Sequence, residues 1–471
     1  MQNSPAQGGT SVQPVAKLWP ILVVVLCADI LDLLDGTLTN IAAPLIAKSL
    51  GGGQFLIQWL GTSYALAMGI FLVLGGRLGD KFGQRRLFII GIAGFTASSL
   101  ACGLAQGPIF LIVARFLQGG FGSLLIPQGM AIMSRSFPRE MMAKAFSVFG
   151  PAMGVAAVLG PIFAGFLIKA NLWGTGWRSM FLINIVLGGV GLLLSLKHLP
   201  KDGGDRSVVL DAIGSWLLGG AMLCLLFGLI DGSSRLWDAR AFALIASGIC
   251  FAILFTWRQA KASHPLLKPS LLKNRGFSSG LILGFLFFAM VNGLCFVISL
   301  FLQIGLGSSP FDASLQMTPL MIGIILASVV APSLIGSWGR RLIATGLVIT
   351  AGGTLLFGLL LNITGLGPWT LFPAILLIGF GMGLCFGTLF DVVVGDIEPD
   401  EAGSASGSLS AVQQLSGSAG SAMVTTIFFS ALRSGGHMVA MRQSLWIVGT
   451  IMVACFALTW LLPKKAGELH H

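Results

Sequence analysis

From residue 18 onward the sequence is a succession of apolar runs, each about 20 residues long, broken by short stretches of glycine, proline or charge. A run of that length crosses the hydrocarbon layer as a helix, and lipid offers no water to satisfy an open backbone. The chain is therefore restricted to membrane-spanning α-helices. A soluble alternative would need far more charge: this chain is 55% hydrophobic and 10% charged, against about 25% charged in an average soluble domain. Its 65 glycines suit helices that must approach closely where lipid supplies no hydrophobic drive.

Fourteen runs are expected to span, from 18–42 at the start to 442–462 at the end. An even count puts both termini on one side, and the excess of Lys and Arg marks the cytoplasmic side. With the termini cytoplasmic, 20 of the 28 Lys/Arg fall on inner segments and seven on outer ones, and Arg115 is left within span 4. The net charge of +11 is then a topology signal, and nucleic acid is not needed to explain it. Residues 1–17 have no apolar core, so no removable signal peptide is expected. The seven cysteines all lie in apolar runs without a C-x-x-C pair and read as packing residues.

The chain repeats itself. LGDKFGQRRLFIIG (Leu78 to Gly91) follows span 2, and LIGSWGRRLIATG (Leu334 to Gly346) follows span 10. A turn recurring eight helices later divides the chain into a cytoplasmic tail (1–17), a six-helix bundle (18–200), two inserted helices (201–270), a second six-helix bundle (271–462) and a tail (463–471). The closing Glu-Leu-His-His of that tail reads as a tag remnant. Transporters built from such repeats bind their cargo between the halves, near the bilayer midplane.

Span 1 holds three acids inside an otherwise apolar run, Asp29, Asp32 and Asp35. A spacing of three turns each residue by about 300° from the last and keeps the trio within one stripe of roughly 120°. A carboxylate facing lipid is costly, so the stripe is expected to face the central cavity. Two readings stand: polar closure of hydrogen bonds inside the bundle, or exchange of a proton for a cationic or polarizable cargo. Like charges and loss of water both favour the neutral acid, so at least one of the three is expected to hold a proton. Arg115 is the one basic residue inside a span. A buried guanidinium is seldom unpaired, so it is expected either to partner these carboxylates or to tie helices through backbone carbonyls or Gln118.

Several stretches carry a resemblance. GRLGDKFGQRR (Gly76 to Arg86) resembles the cytoplasmic signature of the major facilitator superfamily. LLDGTLTNIAAPLI in span 1, LIVARFLQGGFG in span 4 and GPIFAG in span 5 look like segments of its drug:proton antiporters. WRSMFLINIVLG and AGSASGSLSAVQQLSGSAG resemble the fourteen-helix EmrB/QacA-type branch of multidrug exporters. The family pattern is departed from at Ala156, Ala164 and Val186.

The resemblance implies an all-α fold of two six-helix bundles plus two inserted helices, and proton-coupled export by alternating access. Asp35 matches the span 1 motif and is implied as the coupling acid, ahead of Asp32 and Asp29. Gly150, Pro151, Gly154, Gly160, Pro161 and Gly165 are implied as the antiporter motif of span 5. In the loop after span 2 Gly76, Gly83 and Asp80, with Arg77, Arg85 and Arg86, are expected to meet the acidic run DIEPDEAG, through Asp396 and Asp400, as an inner gate. That run reads equally as a solvated rim.

Polar residues expected to face the cavity are Tyr64, Asn292, Gln303, Gln414 and Asp391. The expected partners are lipophilic cationic small molecules, protons and the lipid bilayer, with the chain a monomer in a bacterial plasma membrane. No cofactor beyond the proton gradient and no metal is expected. G-x-x-x-x-G-K-[ST] and H-E-x-x-H are both missing from the sequence, which argues against an enzyme. GFGMG (Gly379 to Gly383) lies in an apolar span, where it reads as a packing surface. A dedicated exporter of one metabolite, lipid or antibiotic is the nearest rival function. A channel or receptor is more remote.

Overall fold

The computed structural model describes residues 18–171, 174–205, 211–234, 237–262, 265, 274–363, 367–394 and 399–462. Within the described helices the side chains of Gly150, Pro151, Gly154, Pro161, Asp391 and Asp400 are outside the description, as is Asp396 altogether. All regular structure among the described residues is helical.

The helices are α1 (Leu18–Leu50), α2 (Gly53–Phe82), α3 (Gln84–Gly103), α4 (Pro108–Gly122), α5 (Leu125–Ser136), α6 (Arg139–Ala170) and α7 (Arg178–His198) in the first part of the chain. Then come α8 (Ala212–Ser234), α9 (Ala239–Lys261), α10 (Arg275–Leu300), α11 (Pro310–Trp338), α12 (Arg340–Leu360), α13 (Phe372–Val394) and α14 (Pro399–Thr459). Eleven segments among the described residues are long and apolar enough to cross a membrane. That set omits α1, which carries three aspartates, and α6. It also treats α14 as one helix, although Gly436 breaks it with φ +75°. The architecture is compatible with the expected fourteen spans.

Local chemistry explains the interruptions. Helices α4 and α5 form one 29-residue crossing. Pro127 in the first turn of α5 has no N–H for the carbonyl of Ser123, so the helix breaks there. The freed Ser123 carbonyl turns toward Gly75 of α2, where a side chain would not fit. Gly83 (φ +96°) and Gly339 (φ +49°) make the α2–α3 and α11–α12 turns, in a backbone region open to glycine. Each stands just before the shared Arg-Arg-Leu, as Gly83-Gln84-Arg85-Arg86 in the first copy and Gly339-Arg340-Arg341 in the second.

Packing repeats as well. In the first part α1 lies on α6, α2 and α3 on α4, and α3 on α7. In the last part α10 lies on α14, α11 and α12 on α13, and α12 on α14. Two main contacts join the halves, α2 on α14 and α6 on α11, and they exchange under the same repeat. Gln58 reaches from α2 to the hydroxyls of Thr425 (3.3 Å) and Thr426 (3.5 Å) on α14. Helix α6 meets α11 at Gly165, where an added carbon would lie 2.5 Å from Phe311 Cα. Helices α8 and α9 pack chiefly on each other, with α8 also touching α2 and α14.

The candidate cavity and its buried charges

Helix α1 is 33 residues long, and Asp32 lies near its middle. Its three aspartates share a stripe, yet each meets different surroundings. Asp35 is sealed, 1% exposed, and points into the first half. Its Oδ2 pairs with Nη1 of Arg115, which is also 1% exposed. Its Oδ1 accepts from Gln118 Nε2 (2.9 Å) and Asn184 Nδ2 (2.7 Å). Both amides also donate to Ser99 Oγ, at 2.7 and 3.3 Å. Four helices, α1, α3, α4 and α7, thus close around one carboxylate.

The guanidinium of Arg115 is satisfied on several sides. Besides Asp35 it donates to Gln118 Oε1 (2.7 Å) and to the Leu60 carbonyl (3.3 Å), and it stacks 4.4 Å from the centre of the Tyr64 ring. Such a pair is worth little relative to an apolar replacement, but removing one partner strands the other and costs about 3–5 kcal/mol. Charge, hydrogen bonding and ring stacking therefore fix its geometry together.

Asp32 is placed otherwise. Its Oδ1 accepts the Tyr64 hydroxyl, and its carboxylate lies on the wall of a cavity of about 230 Å³ between the halves. Gly36, Thr37 and Asn40 of α1, Tyr64 and Thr62 of α2, and Arg115 line the near side. Asn292 of α10 and Gln414, Gly417, Ser418 and Ser421 of α14 line the far side. A second cavity of about 90 Å³ shares Thr37, Asn40 and Asn292 and, apart from Ser299, is otherwise apolar, with Phe296, Met317 and Met321 in its wall. Asp29, one turn earlier on α1, is buried, and its Oδ1 has no hydrogen-bond partner among the described residues.

Of the residues expected at the cavity, Asp32, Tyr64, Asn292 and Gln414 are brought together there. Gln414 donates toward Met68 Sδ, and Asn292 donates to the Phe288 carbonyl at 2.9 Å. Gln303 lies in the π-helical turn that ends α10, bonded to Ser299 Oγ at 3.1 Å, and lines neither cavity. Asp35 and Asp29 do not line it either, so the stripe faces the cavity through Asp32 alone. Asp391 sits in the last turn of α13, its side chain outside the described residues. Sequence reasoning passed over Asn184, Ser99, Thr37 and Asn40. The signal for Asn184 and Asn40 was available: an amide within an apolar span, at a level where nothing but protein can satisfy it.

The α2–α3 turn is held by the first half and by the inserted segment that follows it. Asp80 lies 3.7 Å from Arg135, and Arg77 donates to the Pro265 carbonyl (2.9 Å). Arg85 donates to the Leu196 carbonyl (2.8 Å). Asp202, just after α7, caps α3 by accepting from the backbone N–H of Gln84 (2.5 Å) and Arg85 (3.2 Å). Arg86 is exposed, and Gly76 lies near Pro127. Asp396 of the expected gate is outside the described residues, and so is the side chain of Asp400. On α6, Gly160 rests against Thr37 and Leu34 of α1, and Gly165 against α11. The positions 150, 151, 154 and 161 lie along the same helix.

Comparison with known proteins places this architecture. The pattern that defines the Major Facilitator Superfamily matches residues 25–421. The chain is similar to a probable actinorhodin transporter of Streptomyces coelicolor, 42% identical over 92% of this chain and 76% of the other. It is also 30% identical to the tetracenomycin C resistance and export protein of Streptomyces glaucescens, over 88% of this chain and 76% of the other. Among solved structures, the xylose transporter XylE from E. coli superposes with a TM-score of 0.66 at 15% identity, covering 96% of this chain and 99% of that one.

Proposed function

Because the chain belongs to the Major Facilitator Superfamily, and is thus a multi-pass secondary transporter and not an enzyme, we propose that it exports small lipophilic molecules in exchange for protons. The cargo class we favour is cationic drugs or biocides. The observation that carries this reading is the position of Asp32, an acid on the cavity wall whose one described partner is the Tyr64 hydroxyl. A cation entering the cavity and a proton compete for that carboxylate. Tyr64 stacks under Arg115, so a change at Asp32 reaches the Arg115–Asp35 pair through one ring.

Asp32 then serves as the exchange point and Asp35 as the coupled acid behind it. This refines the order implied by resemblance, in which Asp35 came first. Proton entry from outside releases the cargo, and each charge carried inward gains about 2.3 kcal/mol per 100 mV of membrane potential. Asn292 and Gln414 would orient the cargo from the second half. The span 5 glycines would let α6 move against α1 and α11. The α2–α3 turn would close the inner side against Asp396 and Asp400. The proposed setting is a bacterial plasma membrane, both termini cytoplasmic, the chain a monomer of two six-helix bundles with α8 and α9 inserted.

The test is efflux of a dye cation from loaded vesicles under an imposed pH gradient. Asp32→Asn and Asp35→Asn should both abolish gradient-driven efflux, and only Asp32→Asn should also weaken dye binding without a gradient. Equal efflux from the parent and both variants would end the proposal.

A second reading rests on the relatives, two of which are named for one antibiotic each. In it the cavity serves a single antibiotic. Competition separates the two: unrelated cations displace the dye from a multidrug cavity and leave a dedicated one unaffected.

A further inference from the structure

A further concavity among the described residues lies on the outside of the second half, beside the exposed Leu355, Leu359 and Trp446. Helix α12 and the arm of α14 beyond Gly436 diverge to leave a groove of about 260 Å³. Gly358 and Gly449 form its floor, and at Gly449 an added side-chain carbon would meet nothing within 4 Å. Trp446, 78% exposed, forms one wall. The groove runs along α14 from Arg442 to Met452, about 15 Å of helix. That is half of the ~30 Å hydrocarbon layer, the depth of one leaflet.

The two ends of the groove differ in chemistry. Met452 and aliphatic side chains close the deep end. At the other end stands Arg442, level with the ends of α12 and of the α14 arm, where headgroups lie. Its Nη2 is held by Asn362 Oδ1 at 2.5 Å, which leaves other guanidinium donors turned outward. No carboxylate lines the groove, and among the described residues none pairs with Arg442. A guanidinium positioned by an amide is suited to a phosphate, and an ammonium headgroup would find nothing to accept it.

We infer that this groove is a binding site for one anionic glycerophospholipid, its acyl chain lying over Gly358 and Gly449 and its phosphate on Arg442. The site shares no lining residue with the cargo cavity, and its occupancy is independent of what the protein transports. Bound there, the lipid fills a gap between α12 and α14 and holds them together, as a ligand that binds the folded state does.

Native mass spectrometry of the detergent-purified protein tests this, with equimolar phosphatidylglycerol and phosphatidylcholine added. The parent should retain one phosphatidylglycerol in preference to phosphatidylcholine. Arg442→Gln should lose that preference, with affinity for phosphatidylglycerol falling roughly tenfold, the loss of one charge-assisted contact. Gly449→Leu should fill the floor and reduce retention of both lipids, and Arg442→Lys should keep most of the preference. Equal retention of the two lipids by the parent would overturn the site, as would unaltered preference in Arg442→Gln. A protein dimer whose formation is lost in Gly449→Leu would overturn it too, by assigning the groove to a second copy.

Discussion

The two halves of the molecule have the same frame and opposite interiors. In the first half Gly119 of α4 rests directly on the backbone of Tyr64, and in the second Gly379 of α13 rests in the same way on Leu320. One turn before each glycine stand Arg115 and Ile375, both buried. The guanidinium and phenol of the first half therefore answer to Ile375 and Leu320 in the second, whose interior also holds a cluster of rings. Phe287, Phe288 and Phe386 pack there with centroids 5.3 to 5.7 Å apart. Among the described side chains the second half buries no Asp, Glu, Lys or Arg. The lesson is a division of labour: one duplicated frame supports a half that buries charge and a half whose described interior is neutral and meets the cavity with Asn292 and Gln414.

The contrast can be broken by making the first half resemble the second. Arg115→Ile strands Asp35 and should cost about 3–5 kcal/mol, read as a large fall in the thermal unfolding midpoint together with loss of efflux. Adding Asp35→Leu should restore most of the stability and none of the gradient-driven efflux. A double variant as unstable as the single one would show that the pair, and not the stranded acid, carries the effect. Next in size is Asp80→Asn. Gly83 and Gly339 are equivalent, so Asp80 answers to Gly336, and its charge belongs to the first half alone. Transport should stall while dye binding stays measurable; unchanged turnover would remove the gate. Tyr64→Phe deletes the hydrogen bond to Asp32 and keeps the ring under Arg115, and should weaken coupling by a factor of about 5, near 1 kcal/mol. The smallest effect is expected on the apolar side. Ile375→Val should cost about 0.5–1.5 kcal/mol of stability and leave the pH dependence of efflux in place. A shifted pH profile there would mean that the second half also senses protons.

Much of the architecture was legible in the sequence. Run length and the poverty of charge dictated spanning helices, and the repeated Arg-Arg-Leu turn marked the duplication that the packing then shows at Gly83 and Gly339. The site was legible in kind but not in arrangement. Residue spacing put Asp29, Asp32 and Asp35 on one stripe, and a stripe of 120° is wide enough to face three surroundings at once. Which acid meets the cavity depends on where α2, α4 and α7 lie around α1. No local pattern in α1 encodes those neighbours. Gln303 was misplaced for the same reason: the π-helical turn at the end of α10 resets the helical phase on which a facing argument depends.

The sequence by itself determined that this chain crosses a bilayer many times as helices, that it is a repeat of one bundle, and that acids lie within its first span. Those follow from the cost of exposing peptide groups and charges to hydrocarbon, which acts residue by residue. Only the tertiary structure decided that Asp35 is closed off with Arg115, Gln118 and Asn184 while Asp32 opens on the cavity with Tyr64. It also decided that a cationic groove lies on the outer face of the second half. Pairing and enclosure are properties of side chains from different helices. They exist only once glycines such as Gly119 and Gly379 have let those helices come together.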